Sequence, residues 1–178
     1  QCCLVGSEMC IRDSLYLEEA CAALEGTETA NVFSSGMGAI TATILQLCKS
    51  EDHIISSRTV YGGTYAFLKN FTPQLKIETT FVDITSLDDI NNSIKPNTKI
   101  IYCEVSSNPL LEIADLEEIS KIAKKNNIKL VVDNTFTPLS VSPAKYGADV
   151  VIHSLTKFIN GTSDTIAGVV CSLSLIHI

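Results

Sequence analysis

The sequence predicts a three-layer α/β/α fold with a mostly parallel sheet. Short apolar runs, several of them rich in β-branched residues, alternate with amphipathic segments along the chain. Strands that alternate with helices in this way form parallel sheets covered by helices on both faces. The 178 residues contain no linker, repeat or low-complexity segment and suffice for one domain with a hydrophobic core. We therefore expect a single α/β domain.

Strands are predicted at the apolar runs, and helices where apolar residues recur with a period near 3.6. The strands cover residues 30–33, 53–56, 77–82, 99–103, 130–132, 149–152 and 166–170. The helices cover residues 15–24, 34–48, 61–71, 86–93 and 115–126. Gly26 is expected to end the first helix and Pro73 to stop the third, while Ser86 and Asp89 fit a capping box.

The two ends of the chain look non-native. Residues 1–14 begin without Met and have no steady period, and residues 172–178 stop abruptly after a predicted strand. Both strings resemble translated sequencing-adapter sequence. We expect residues 15–171 to be the informative part and the chain to be a fragment.

Charge and composition exclude several classes of protein. The net charge of -7 and pI near 4.9 argue against a sequence-independent nucleic-acid binder, which relies on clustered basic residues. The longest apolar stretches are too short to span a bilayer, and no secretory signal opens the chain, so we expect a cytoplasmic protein without membrane contact. Seven cysteines form no CxxC pair and the three histidines are scattered, so we expect buried thiols and no metal site.

Candidate sites are sought after the strands, because α/β sheets bind ligands beyond the carboxyl ends of their strands. Small residues at 34–38 stand between a strand and a helix, which suits either a phosphate or a tight turn. Asp133 closes an apolar strand and is either a hydrogen-bonded turn residue or the partner of a cation, such as a metal or a protonated ring nitrogen.

Two further segments follow strands. Lys157 is either a desolvated nucleophile or an ordinary surface lysine, and the hydroxyls of Ser154 and Thr156 could hold a phosphate. Tyr61 precedes two glycines and either stacks on a planar ligand or packs in the core. Together the four segments supply a phosphate anchor, an acid, an amine and a ring wall, which are the requirements of pyridoxal 5′-phosphate (PLP).

At these residues the sequence resembles the Cys/Met-metabolism family of PLP enzymes. Members of that family include cystathionine γ-lyase, methionine γ-lyase, cystathionine γ-synthase and O-acetylhomoserine sulfhydrylase. The resemblance runs over residues 15–171, and the segments that carry it occur in the family's order: 34–40 (SSGMGAI), 60–65 (VYGGTY), 131–138 (VVDNTFTP), 147–161 (GADVVIHSLTKFING) and 163–168 (SDTIAG). It implies the large cofactor domain of the fold type I, aspartate aminotransferase-like, PLP enzymes.

The resemblance also implies roles for single residues. Lys157 would form the internal aldimine, Asp133 would bind the pyridine nitrogen, and Tyr61 would stack on the ring and assist proton transfer at the leaving group. These three would be the catalytic residues. The cofactor-binding residues that it implies are Ser35, Gly36, Met37, Tyr61, Glu104, Asn108, Asp133, Thr135, Ser154, Thr156 and Lys157.

The sequence departs from the family pattern in three respects. Val105-Ser106-Ser107 replaces the usual Ser/Thr-Pro-Ser/Thr, and Thr162 replaces the usual His. The upstream Tyr-x-Arg segment, which reaches a neighbouring subunit, and the C-terminal substrate domain with its carboxylate-binding Arg are absent. We therefore expect the fragment to be inactive alone, even if it takes up PLP.

The implied function is PLP-dependent carbon–sulfur cleavage by γ-elimination on cystathionine or methionine. The alternative within the family is a γ-replacement transferase, such as cystathionine γ-synthase or O-acetylhomoserine sulfhydrylase. A hypothesis of another class is a non-catalytic α/β module that binds a phosphorylated metabolite. The expected partners are a small sulfur amino acid and, when the protein is full length, further copies of the chain as a dimer of dimers, a homotetramer.

Overall fold

Seven strands form a single sheet in the computed structural model, which describes residues 2–173 and the side chains of residues 13–173. The strands are Thr29–Phe33 (β1), His53–Ser57 (β2), Glu78–Val82 (β3), Thr98–Glu104 (β4), Lys129–Asp133 (β5), Val150–Ser154 (β6) and Gly168–Ser172 (β7). The helices are Cys2–Glu25 (α1), Gly36–Leu47 (α2), Gly62–Ala66 (α3), Leu87–Asn92 (α4) and Leu116–Lys125 (α5).

The order of the strands is β1-β7-β6-β5-β4-β2-β3. Strands β6, β5, β4, β2 and β3 pair in parallel, whereas β7 pairs antiparallel with both β1 and β6. The prediction of a mostly parallel sheet is therefore confirmed. The carboxyl ends of β4, β5 and β6 lie side by side, which is the arrangement that determines the position of the site.

Helices cover both faces of the sheet, so the predicted three layers are present. On one face Cys21 of α1, Ile90 of α4 and Ile119 of α5 pack against the sheet in one buried cluster. On the other face Ile44 of α2 and Leu68 belong to a second buried cluster. Successive strand residues point to opposite faces, and each strand therefore contributes to both clusters.

Most boundaries differ from the prediction by one or two residues, and three differences have a physical explanation. Helix α1 starts at Cys2 rather than at residue 15, and residues 2–14 contain no proline that would stop it. Pro73 does not end its helix. A π-helical turn, Phe67–Phe71, leads into a 3-10 helix, Thr72–Leu75, and Pro73 lies in the first turn of that helix. Proline is tolerated there because the first residues of a helix do not need their N–H groups for intrahelical hydrogen bonds. Strand β7 lies two residues later than predicted, since Ile166 is exposed instead of paired.

Four cysteines with described side chains, Cys21, Cys48, Cys103 and Cys171, are buried and free, as expected. Burial raises the pKa of the Cys48 and Cys103 thiols to about 12, so both stay protonated at neutral pH. Cys2, Cys3, Cys10 and His177 lie outside the described side chains. Within residues 2–173, none of the helices combines the length and apolar character that a membrane span requires.

Candidate active site

The carboxyl ends of three neighbouring parallel strands form the floor of a cavity. Glu104 ends β4 in register with Asp133, which ends β5, and β6 ends beside them at Ser154. The cavity has a volume of about 470 Å³. Every residue that the resemblance assigned to the cofactor lines it: Ser35, Gly36, Met37, Tyr61, Glu104, Asn108, Asp133, Thr135, Ser154, Thr156 and Lys157.

The amino end of α2 lies tightly against the ends of β6 and β7. A Cβ atom on Gly36 would lie 2.6 Å from Cβ and 2.8 Å from Oγ of Ser154, and a Cβ atom on Gly168 would overlap the carbonyl oxygen of Ser35. Ser35 caps the helix, accepting a hydrogen bond from the Gly38 N–H at 3.0 Å. Since the first amides of a helix have no intrahelical acceptor, those of Gly36 and Met37 are available to bind an anion beside the Ser154 hydroxyl.

The Thr156 hydroxyl is already engaged by the backbone. It donates to the Ala167 carbonyl at 3.2 Å and accepts from the Ala167 N–H at 3.1 Å. For Thr156 to donate to a phosphate, its proton must turn away from Ala167. The Ser154 hydroxyl, which adjoins Gly36, is the donor that the geometry favours.

Asp133 is a buried carboxylate held by its neighbours. Its Oδ1 accepts from the Thr135 N–H at 2.9 Å and from the Thr135 hydroxyl at 2.6 Å, and Tyr102 donates to its Oδ2 at 3.4 Å. Burial raises the pKa of Asp133, and hydrogen bonds from Thr135 oppose that rise. The imidazole of His153 also lowers this pKa. A cation in the cavity would favour the ionised carboxylate further.

Thr135 also links Asp133 to the next strand. Its Oγ1 accepts a hydrogen bond from the Ser154 N–H at 2.8 Å. One hydroxyl thus connects the acid at the end of β5 with the residue that ends β6. This fixes the acid relative to the anion site at Gly36.

Glu104 holds two loops over the cavity. Its Oε1 accepts from the Tyr61 N–H at 2.7 Å and its Oε2 from the Asn108 N–H at 3.2 Å. Burial raises the pKa of Glu104 to about 7, although these backbone hydrogen bonds work in the opposite direction. Because both oxygens bind backbone amides, the structure favours a role for Glu104 in positioning Tyr61 and Asn108 rather than in direct contact with a ligand.

The ring of Tyr61 lies over a glycine. A Cβ atom on Gly63 would lie 2.7 Å from Cε1 of Tyr61 and 3.2 Å from Sδ of Met37. The ring is half-exposed at the mouth of the cavity. Of the two roles predicted for Tyr61, the structure favours a ring wall over core packing.

Lys157 lies in the turn that follows β6. Its N–H donates to the Ser154 carbonyl at 3.1 Å, and its carbonyl accepts from the Gly161 N–H at 2.8 Å. The side chain lines the cavity but is exposed, so the idea that the strand end desolvates it is wrong for this chain. Residues 161–166, which connect the turn of Lys157 to β7, are exposed as well.

Four further residues line the cavity without having been indicated by the sequence: Ile40, Ser106, Phe136 and Phe158. The rings of Phe136 and Phe158 meet edge to face with centroids 5.3 Å apart. Each directly follows a residue that was assigned, Thr135 or Lys157, and that adjacency is the signal that could have indicated them. They give the open side of the cavity an aromatic border.

The model of the family described as "Cys/Met metabolism PLP-dependent enzyme" matches residues 12–176. The chain belongs to this family. It is 49% identical to methionine gamma-lyase of Arabidopsis thaliana over 88% of the chain and 36% of that protein. It is 46% identical to cystathionine gamma-lyase of Bacillus subtilis over 89% of the chain and 42% of that protein.

A solved structure with the same fold is that of metB from Corynebacterium glutamicum. The TM-score is 0.87 with 40% sequence identity, over 89% of this chain and 41% of that chain. The chain therefore spans about two fifths of the length of the relatives that it matches. The likeness confirms the fold type I class predicted from the resemblance.

The residues present fit the PLP of the family. Gly36 and Gly168 let the amino end of α2 approach the ends of β6 and β7 closely, which places helix amides and the Ser154 hydroxyl together, as a phosphate requires. The buried Asp133 and the exposed Lys157 line the same cavity from the ends of neighbouring elements, although 157 − 133 = 24 residues separate them. Acid, amine, anion site and ring wall are therefore available to one planar, phosphorylated molecule.

Proposed function

We propose that this chain is the PLP-binding part of a carbon–sulfur lyase that acts on cystathionine or methionine by γ-elimination. The observation that carries the proposal is the convergence of all the assigned residues on one cavity at the strand ends. The lyase reaction is supported by the relatives named methionine gamma-lyase and cystathionine gamma-lyase.

Several residues would hold the cofactor. The amides of Gly36 and Met37 and the hydroxyl of Ser154 bind the phosphate, with Thr156 as a further donor once its proton has turned. Asp133 holds a proton on the ring nitrogen through a charge-assisted hydrogen bond. When bound, PLP supplies an electron sink for the bond broken at the substrate's Cα.

The proton transfers belong to two residues. Lys157 would hold the cofactor covalently through its amine, and that amine, when free, would take the substrate's Cα proton as a general base and return it as a general acid. The Tyr61 hydroxyl donates a proton at the leaving group. Glu104 supports this role of Tyr61, because its carboxylate accepts a hydrogen bond from the Tyr61 backbone N–H.

The cofactor part of the proposal is tested with the 178-residue chain itself. PLP added to the chain should produce an absorbance band near the visible edge, and borohydride should fix the cofactor on the peptide that contains Lys157. Lys157→Ala should abolish both. A non-catalytic module that binds phosphorylated metabolites would give neither signal with the wild-type chain.

The competing reaction is γ-replacement, as in cystathionine γ-synthase or O-acetylhomoserine sulfhydrylase. It is retained because both reactions would use the same cofactor residues, and a proton from Tyr61 would serve the leaving group in either reaction. The test uses the protein extended to the length of its relatives. Release of 2-oxobutanoate from cystathionine or methionine without a thiol acceptor supports the lyase, whereas a thiol-dependent product from O-acetylhomoserine supports the transferase.

We also propose that the extended protein is a cytoplasmic homotetramer, built as a dimer of dimers. This is supported by apolar residues that are strongly exposed on the loops of this chain: Leu110, Ile113, Leu139 and Ile166. Light scattering of the extended protein measures the assembly, and a monodisperse monomer would contradict it.

A further inference from the structure

A buried carboxylate on the far side of the sheet connects the two strands that carry the site. Glu25, the last residue of α1, is 1% exposed, and its Oε1 lies 2.6 Å from Nε2 of His153. Asn134 donates to the same Oε1 at 3.0 Å. A buried carboxylate is costly unless it is paired, and here a single oxygen receives both partners.

This Glu–His contact differs from the other contacts between acidic and basic side chains that the structure describes. In the Glu25–His153 pair both side chains are 1% exposed, whereas in each of the others both are at least 24% exposed. Glu25 Oε2 and His153 Nδ1 have no hydrogen-bond partner among the described residues. Replacing a buried polar pair with well-packed apolar side chains often leaves a fold equally stable or more stable. Stability alone therefore does not explain why Glu25 and His153 are paired here.

Its position follows from the alternation of side chains along a strand. Asn134 follows Asp133, and His153 precedes Ser154. Neighbouring residues in extended chain point to opposite faces, so Asp133 and Ser154 face the cavity while their neighbours face α1. Glu25 therefore contacts Asn134 and His153 on the α1 face of the sheet, and their chain neighbours Asp133 and Ser154 face the cavity.

The same cluster fixes the loop after β5. The amide of Asn134 also donates to the Val141 carbonyl at 2.8 Å, and Thr137 donates to its Oδ1 at 2.7 Å. Ser142 donates to the Glu25 carbonyl at 2.6 Å. The loop that begins with Thr135, the residue that hydrogen-bonds Asp133, is thus held to the end of α1.

We propose that Glu25 is a positioning residue of the cofactor site. Through His153 and Asn134 its carboxylate keeps the ends of β5 and β6 at the spacing at which Asp133 and Ser154 serve one ligand. This inference rests on the proposed PLP site and adds to it a residue of α1 that does not line the cavity.

The test compares Glu25→Gln, Glu25→Ala and His153→Gln with a matched control, His53→Gln. His53 is likewise fully buried, and its ring nitrogens lie 2.8 Å from hydroxyls of Thr98 and Thr80. It stands at the first residue of β2, at the amino edge of the sheet, away from the cavity. The control therefore reports the effect of losing a buried polar cluster without disturbing the site.

Two readouts are used on variants that are folded by circular dichroism. The PLP dissociation constant should rise about tenfold or more in the Glu25 variants, with an altered visible dichroism of the bound cofactor, and stay within about twofold in His53→Gln. The same rise is expected for His153→Gln, and without cofactor the hydrogen exchange of the Thr135 and Ser154 amides should be faster in the Glu25 and His153 variants but unchanged in His53→Gln.

Each outcome decides something. Glu25 variants that keep wild-type affinity and exchange contradict the positioning role, as does an equal effect of His53→Gln. If Glu25→Ala does not fold, the positioning role is judged from Glu25→Gln and His153→Gln, each compared with His53→Gln. A wild-type chain with no cofactor band contradicts the proposed function, and the exchange measurement then still tests the link between Glu25 and the strand ends.

Discussion

At the scale of single residues, the candidate anion site depends on two positions that are occupied by glycine. Gly36 and Gly168 allow α2, β6 and β7 to approach until backbone meets backbone. Amides brought this close to a hydroxyl need no further side chain to bind a phosphate. Both positions have negative or extended backbone angles, so space and not backbone freedom is what requires glycine there.

Gly36→Ala should damage the site directly. Its Cβ would lie 2.6 Å from Cβ of Ser154, which forces the helix end away from β6. We expect a loss of about 1–3 kcal/mol in the free energy of unfolding, measured in urea, and about a tenfold weaker binding of PLP. The matched control is Gly62→Ala, where a Cβ meets nothing within 4 Å, and equal effects of the two substitutions would contradict the close-approach argument.

Glu104 gives the molecule a pH dependence of known sign. Burial raises the pKa of Glu104 from 4.5 to about 7, so the folded state retains a proton that the unfolded state has already lost between these values. The folded state is therefore destabilised as pH rises through that interval. The contribution is fully favourable below pH 4.5 and is lost above about pH 7.

Glu104→Gln should remove this dependence. Between pH 5.5 and 8 the wild-type chain should lose about 2 kcal/mol of stability relative to the variant, since one pKa unit corresponds to about 1.4 kcal/mol. The measurement is urea unfolding of both cofactor-free chains at the two pH values. A difference between them that does not change with pH would show that Glu104 has an ordinary pKa.

At the scale of elements, the strands determine where the site lies and the helices determine how stable its support is. Helix α5 has Asp115 as its amino cap, acidic residues in its first turn and Lys124 and Lys125 in its last. Acidic residues at the amino end and basic residues at the carboxyl end interact favourably with the helix dipole, and the cap satisfies a free N–H group. None of its residues lines the cavity, so α5 affects stability without touching the chemistry.

Asp115→Ala separates the two effects. The Asp115 carboxylate accepts from the Glu118 N–H at 3.2 Å, and its loss should cost about 1 kcal/mol of stability. Affinity for PLP should remain within about twofold of wild type under conditions where both chains are folded. A loss of affinity much larger than that would mean that α5 communicates with the cavity.

At the scale of the whole molecule, the chain spans about two fifths of its relatives. We expect the 178-residue chain to bind PLP without turning over substrate, because none of the described residues that line the cavity is an arginine that could hold the substrate's carboxylate. Correct orientation of a substrate contributes roughly 7–11 kcal/mol to catalysis. The assay follows 2-oxobutanoate and thiol release from cystathionine, methionine and O-acetylhomoserine. Turnover within about tenfold of an extended relative would contradict this expectation.

Much of this molecule was predictable from sequence because its signals are local. Apolar runs such as 130–132 and 149–152 indicated buried parallel strands, and the rule that ligands bind at their carboxyl ends led to Asp133 and Ser154. Helix ends were less certain. Pro73 was expected to stop a helix, but the chain accommodated it in a tighter turn.

The sequence by itself determined the fold class, the order of the strands along the chain and the residue types at their ends. Only the tertiary structure decided that β7 inserts antiparallel between β1 and β6, and that Glu25 meets His153 across 128 residues. A glutamate at the end of a helix carries no local sign of burial. Its environment is created when distant segments pack together, and contacts of that kind have no period or spacing in the sequence that could reveal them.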